Sequence, residues 1–382
     1  MNFELTEDLQ ALREAAREIA EAVIGPTCRE DDETETFRRS IFQSLGEAGF
    51  CGIPTAENYG GLGLGYLEYA LVIEEIGRVS ASHAVTVAVN GLPQIILSTF
   101  GTPEQQARFI PPLASGEALG ALALSEVGSG SDAGSLSARA EQVGDEYVLN
   151  GSKFWITHGG VADTYVVMAR TGGEGPRGIS AFLVEGDTPG LSFGKKEEKM
   201  GLRASPTVEL ILEDVRVPVS HLLGGEGMGF RIAMSALDSG RITIGATAVG
   251  IGQASLEVAS KYAVQRKQFD RPIIDFQGVG FLLADMAMRT ECSRLLVHKA
   301  AWLRDHGRPY AHVAAMGKCM ASDACLATAS DAVQVLGGTG YTREYPVERY
   351  MRDAKVMQIV EGTNQIQRLV ISRYLRGEYE EK

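Results

Sequence analysis

The sequence predicts an α+β chain in three parts: an N-terminal α-helical part (1–118), a middle all-β part (119–226) and a C-terminal helical bundle (227–382). Three observations point there. At both ends apolar residues recur at three- and four-residue spacing, the period of an amphipathic helix. Between them the pattern changes to short β-branched and aromatic runs broken by glycine, which is strand-like. At 382 residues, 45% hydrophobic and 22% charged, the chain has enough apolar surface for several packed layers and not the composition of a disordered one.

In chain order, Leu9, Leu12, Ala16, Ile19 and Val23 fall on one helical face until Gly25-Pro26 ends the run. Helical patterns recur in 37–45, 66–76 and 103–109. The glycine-dense stretch from Gly60 to Gly65 fits neither common phosphate-loop spacing and is expected to be a plain connection. In the middle part 147–149, 154–156, 165–168, 179–184 and 208–212 are strand-like, and Asn150-Gly151 is the pair that a two-residue hairpin turn prefers. The same pair opens a glycosylation sequon, but the turn reading takes precedence where no secretory signal is seen. From 230 to 269 a single long helix is expected, ended by Asp270-Arg271-Pro272, and then an antiparallel bundle with a charged, frayed tail at 376–382.

Charge and composition exclude several classes. A net charge of -13 disfavours nucleic acid and anionic lipid as partners. No apolar run of about 20 residues suits a membrane helix, and the acidic segment 1–11 is unlike a targeting peptide, so the cytoplasm is the expected location. Five cysteines without a C-x-x-C pair and six scattered histidines predict free thiols and no metal site.

Four stretches carry possible chemistry. Gly128 to Ala133 formally fits a dinucleotide fingerprint, but it leads into strand-like sequence and suits either a plain loop or an anion-binding loop. Strand alternation would put Trp155 and Thr157 on one face, where an indole and a hydroxyl can meet a planar heterocycle or simply pack in the core. Asp238 and Arg241 are spaced as a helical ion pair. Glu361, between the apolar Ile359-Val360 and Gly362-Thr363, is placed for desolvation, which raises a carboxyl pKa and makes a usable base, while Thr363 suits a helix N-cap.

In this order, Tyr59-Gly60-Gly61-Leu62-Gly63, the segment Leu124 to Asp132, Trp155-Ile156-Thr157, Lys199-Met200-Gly201-Leu202-Arg203, Arg266-Lys267-Gln268-Phe269 and Glu361-Gly362-Thr363 resemble the acyl-CoA dehydrogenase family over nearly the whole chain. The resemblance implies that family's fold, a helical domain, a β-barrel-like domain and a four-helix bundle, and FAD-dependent conversion of an acyl-CoA to a trans-2-enoyl-CoA, with Glu361 as base and an electron-transfer flavoprotein as acceptor. It implies that Leu122, Leu124, Ser125, Gly130, Ser131, Trp155, Ile156 and Thr157 hold the flavin, with Ser125 near its pyrimidine ring and Thr157 near N5. Arg266, Gln268, Phe269, Gln277, Gln334, Gly337 and Gly338 would serve FAD across a subunit interface, and Thr363, Asn364 and Gln365 its adenosine half. Ser131, Asp238, Arg241 and Gly362 would meet the acyl-CoA. A homo-oligomer, usually a tetramer in this family, follows. Val127 and His158 depart from the family's commoner proline and asparagine. In the isovaleryl type of the family the base comes from the position of Gly240, which cannot serve here. An acyl-CoA oxidase, a non-catalytic CoA-binding protein, a carrier-protein-linked dehydrogenase and a nitroalkane-type oxidase are the alternatives on the same fold.

Overall fold

The computed structural model describes residues 4–380, so the first three residues of the acidic N-terminal segment and the last two of the charged tail lie outside the described residues. Six helices come first: α1 (Glu7–Val23), α2 (Cys28–Thr34), α3 (Arg39–Glu47), α4 (Tyr66–Val79), α5 (Ala81–Phe100) and α6 (Pro103–Ala114). Thr6 caps α1 and Thr102 caps α6, each hydroxyl accepting a main-chain N–H three residues on. Helix α5 has no polar stripe, because nearly every residue in it is buried. Its Asn90 carboxamide bonds both the Leu113 carbonyl (2.9 Å) and the Gly120 N–H (2.9 Å), tying the helices to the first strand.

Eight strands follow: β1 (Gly120–Ala123), β2 (Arg139–Val143), β3 (Glu146–Thr157), β4 (Thr164–Arg170), β5 (Ile179–Glu185), β6 (Leu191–Phe193), β7 (Thr207–Pro218) and β8 (Leu222–Leu223). They form one mixed sheet in the order β6-β7-β3-β2-β4-β5-β8, with β1 parallel to β4. The expected turn at Asn150-Gly151 is absent: β3 runs straight through it, and the pair sits at a register shift against β7. The hairpin turn lies earlier, at Gly144-Asp145, where Gly144 supplies φ 63° between the paired Val143 and Glu146. The extra residue at that shift belongs to β7, where Glu213 and Asp214 stand opposite Asn150 and Asp214 takes φ 53°, so the bulge bends β7 and β3 continues through Asn150-Gly151.

The C-terminal part holds α7 (Gly229–Gln265), the short pair β9 (Lys267–Gln268) and β10 (Arg271–Pro272), then α8 (Gln277–Asp305), α9 (Ala311–Leu336), α10 (Val347–Met357) and α11 (Asn364–Tyr379). The long helix stops at Gln265, short of the expected Phe269. Phe269 and Asp270 both take left-handed backbone, φ 51° and 63°, and turn β9 into β10. Much of the tail expected to fray continues α11 as far as Tyr379. Helix α7 is long and apolar enough to cross a membrane by composition, yet it lies mostly buried as the central helix of the core. A side chain at Gly250 would overlap the Glu74 carbonyl and approach the Arg78 nitrogen to 2.8 Å, so α7 and α4 pack backbone to backbone only because glycine stands there.

Candidate active site

Glu361 lies in the turn between α10 and α11, in left-handed backbone with φ 51°, followed by Gly362 at φ 90°. A glutamate in that region costs free energy, so neighbours must impose it. Thr363 caps α11, its hydroxyl accepting from the Ile366 N–H at 3.3 Å, as its position predicts. Gln367 donates from Nε2 to the carbonyls of Glu361 (3.1 Å) and Gly362 (2.8 Å), and the Lys318 ammonium, from α9, donates to the Gly362 carbonyl at 2.9 Å.

Both Glu361 carboxylate oxygens are buried without a hydrogen-bond partner. Burial pushes this carboxyl up to about 7, a rise restrained by the nearby positive charges of Arg241 and Lys318. The carboxylate rests on Gly240 of α7, where a methyl group would overlap Oε2 and reach Cδ at 2.7 Å. Arg241, next along α7, is 4% exposed and paired with Asp238, whose own carboxyl is raised by burial against the pull of that arginine. The Asp238–Arg241 pair is therefore a mostly buried pair near Glu361 rather than a surface ion pair. Among the described residues no acceptor meets the Glu361 N–H.

A second group sits on the sheet. The loop 124–131 is held to β3 by the Phe154 N–H, which donates to the Ser125 carbonyl at 2.8 Å, and by Glu126, whose carboxylate meets the Lys153 ammonium at 2.8 Å and the Ser137 N–H at 2.6 Å. Lys153 is fully buried and held down to about 8 by burial, against the pull of Glu126. Simple alternation fails here: a second register shift between Lys153 and Ile156 puts Trp155 at φ 63°, and its ring is 60% exposed while Thr157 is half-buried. Ile156 turns its side chain into the core of the sheet. His158, at φ 66°, is wholly buried, bonds the Gly120 carbonyl through Nδ1 at 2.8 Å and is pushed down to about 4 by burial. Gly128 and Gly130 have open space where a Cβ would stand, Ser131 is exposed, and the segment forms a loop that leads into a single 3-10 turn, Ala133–Ser135, and not into an α-helix.

The third group, Arg266, Gln268, Phe269, Gln277, Gln334, Gly337 and Gly338, is exposed at the far end of the bundle, where α7 ends, α8 begins and α9 ends. At about 1.5 Å per residue, α7 separates Gly240 from Arg266 by about 39 Å, so these residues stand far from Glu361 of the same chain. Asn364 is 3% exposed and its carboxamide is used within the protein, accepting from Lys318 and donating to Asp323 (2.7 Å) and Ser322 (2.9 Å), whereas Gln365 is exposed. Any contact of Asn364 with a ligand would have to come through its main chain.

Sequence reasoning missed Lys318, Gln367 and the Glu126–Lys153 pair. The signal for Lys318 was a lysine among the small and apolar residues of Val313 to Met320, a position too apolar for a solvated charge.

The chain matches the descriptions Acyl-CoA dehydrogenase, N-terminal domain over residues 6–117, middle domain over 121–215 and C-terminal domain over 227–375. It is 44% identical over 374 residues to a short-chain specific acyl-CoA dehydrogenase of Clostridium acetobutylicum, covering 97% of this chain and 99% of that protein. Among solved structures, butyryl-CoA dehydrogenase from Megasphaera elsdenii superposes with TM-score 0.96 at 42% identity, covering 98% of this chain and 100% of that one. A chain from a study of the electron transferring flavoprotein of Acidaminococcus fermentans gives TM-score 0.96 at 48% identity, over 98% and 99% of the two chains. Matched along nearly its whole length, and carrying a glutamate whose buried carboxylate is poised over a glycine of its central helix, the chain belongs to the acyl-CoA dehydrogenase family.

Proposed function

We propose that this protein is an FAD-dependent dehydrogenase of short or medium straight-chain acyl-CoA thioesters, forming a trans-2-enoyl-CoA and passing electrons to an electron-transfer flavoprotein. The Glu361 carboxylate carries this reading: buried, unpaired and raised to about 7, it is a base of the right strength held free of competing donors.

The residues fit a flavin. Trp155 offers an exposed ring on a left-handed bulge, Thr157 follows half-buried two residues on, and the Gly128–Gly130 loop leaves open space next to Ser131. The exposed set around Arg266 suits a cofactor held by a neighbouring subunit, since one guanidinium can bind a pyrophosphate. Bound FAD supplies the hydride acceptor. Glu361 takes the α proton and holds it on its carboxylate. The Glu361 N–H, which no acceptor among the described residues meets, is free to donate to the thioester oxygen as negative charge gathers there. Arg241, though paired with Asp238, still favours the ionised form of the base before the proton moves.

Tyr69 of α4 bears on chain length. It is 1% exposed, donates to the Val87 carbonyl at 3.0 Å, packs where Gly91 has no side chain, and stands near enough to Glu361 for that charge to help raise its phenol. Such bulk beside the base favours short acyl groups. Five free cysteines agree with a reducing compartment such as the cytoplasm.

The test is turnover of the flavin-loaded protein against a graded panel of acyl-CoAs. Bleaching that is fastest with chains of about four to eight carbons, with reoxidation by an electron-transfer flavoprotein and not by oxygen, is expected. Rapid oxygen consumption would point to an oxidase, and failure of every acyl-CoA to bleach the flavin would overturn the reading.

A further inference from the structure

The left-handed backbone at Glu361 and Gly362 is held from two sides, by Gln367 of α11 and by Lys318 of α9. Lys318 is fully buried. Its ammonium donates to the Gly362 carbonyl at 2.9 Å and to Asn364 Oδ1 at 3.1 Å. Asn364 is itself fixed by Asp323 and Ser322, so the ammonium is tethered on a rigid polar network.

The charges facing the Glu361 carboxylate come from three elements. Arg241 of α7, the larger of the two cationic influences on Glu361, is itself paired with Asp238, and Tyr69 of α4 bonds a main-chain carbonyl. On α9, Asp323 is paired with Arg368 of α11, and the Cys319 thiol is pushed up by burial. Lys318 is different: among the described residues it forms no salt bridge, and yet Glu361 and Lys318 each feel the other's charge. Both carboxylate oxygens of Glu361 still lack a donor. A direct ion pair would weaken the base, and an apolar neighbour would let burial raise it further. The tether gives an intermediate: a cation near the base but bonded one residue along.

We propose that Lys318 is a positioning residue for the base, fixing the turn through the Gly362 carbonyl and setting the base strength of Glu361 with a charge held off its carboxylate. The proposal rests on Glu361 being the base. It assigns two separable roles to one side chain, a hydrogen-bond donor and a fixed charge.

The test uses Lys318→Met, which removes both roles, and Lys318→Gln, which keeps a donor without the charge, beside Glu361→Gln in the flavin-loaded full chain. Two quantities are read as functions of pH: flavin reduction by an acyl-CoA, and the infrared signal of the protonated carboxyl that Glu361→Gln removes. Losing the positive charge must raise the carboxyl midpoint, by roughly one pH unit in both variants. At pH near 7 reduction by Lys318→Met should fall about tenfold or more, recovering at higher pH, with Lys318→Gln faster than Lys318→Met. An unchanged midpoint in both variants, whether or not the rate or melting temperature falls, overturns the proposal, because a merely structural lysine would leave the titration alone. Should Lys318→Met not fold, Lys318→Gln decides by the same midpoint. If Glu361→Gln still reduces its flavin, the base assignment itself fails; if it is inert while the Lys318 variants titrate as wild type, only this inference falls.

Discussion

Replacing Gly240 by alanine separates helix stability from catalysis. A methyl group there would overlap Oε2 of Glu361 and lie 2.7 Å from its Cδ and 2.9 Å from its Oε1. The three nearest obstacles all belong to one carboxylate. Carbon contacts relax near 3.5 Å or beyond, so the carboxylate must withdraw by roughly 1 Å, and a misplacement of that size at a reacting centre costs about a hundredfold in rate. The helix pulls the other way. Alanine is favoured over glycine in a helix interior by up to about 1 kcal/mol, so Gly240→Ala should melt at or above the wild-type temperature. Stopped-flow reduction of the bound flavin by an acyl-CoA, together with a thermal melt of the same sample, reads both effects. Reduction at the wild-type rate would mean that the carboxylate is not held against α7 when it acts, and the positional argument would be wrong.

Three further outcomes follow from the same geometry. Arg266→Ala should weaken flavin retention and oligomer assembly together, measured by flavin content after gel filtration and by the eluted mass; loss of neither would remove Arg266 from the cofactor. Trp155→Ala should alter the flavin spectrum and slow reaction with the acceptor flavoprotein, whereas an unchanged spectrum and reoxidation rate would make the exposed indole irrelevant to both. The pH dependence has a defined sign. Burial raises the folded carboxyl of Glu361 to about 7, so the folded protein holds a proton there that the unfolded chain has released. That contribution is complete below the ordinary carboxylate range and is lost as pH rises to about 7. Glu361→Gln should therefore match wild type in thermal stability at low pH and exceed it above pH 7, by on the order of 3 kcal/mol. Parallel melting curves across that range would show the carboxyl to be unperturbed.

How much of this was legible in the sequence depended on whether the signal was local. The amphipathic stripe of α1, the cap at Thr363 and the desolvated setting of Glu361 follow from residues a few positions apart, and the structure places them so. The composition shift between helical and strand-like stretches also marked the three-part fold. Helix α5 escaped because burial on all sides leaves no periodic stripe to read. The bulges between β3 and β7 escaped because they depend on how the two strands pair, and Asn150-Gly151 looks the same in a turn and opposite a bulge. Lys318 and Lys153 gain their meaning from partners distant in sequence, Gly362 and Glu126. No local pattern encodes that pairing. The glycines of α7 read as tolerated interruptions, yet Gly240 and Gly250 are where another chain segment comes closest.

The central claim is that Glu361 is the base, and the most direct measurement is the rate at which an acyl-CoA bleaches the flavin of Glu361→Gln. The amide is nearly isosteric, so the variant should fold, keep its flavin and still bind the thioester. Its flavin should be reduced at least about a thousandfold more slowly than in wild type, because a general base acting together with oxyanion donors has been removed. Bleaching within about tenfold of wild type would mean that the α proton leaves to another group, and the account of this site would be wrong.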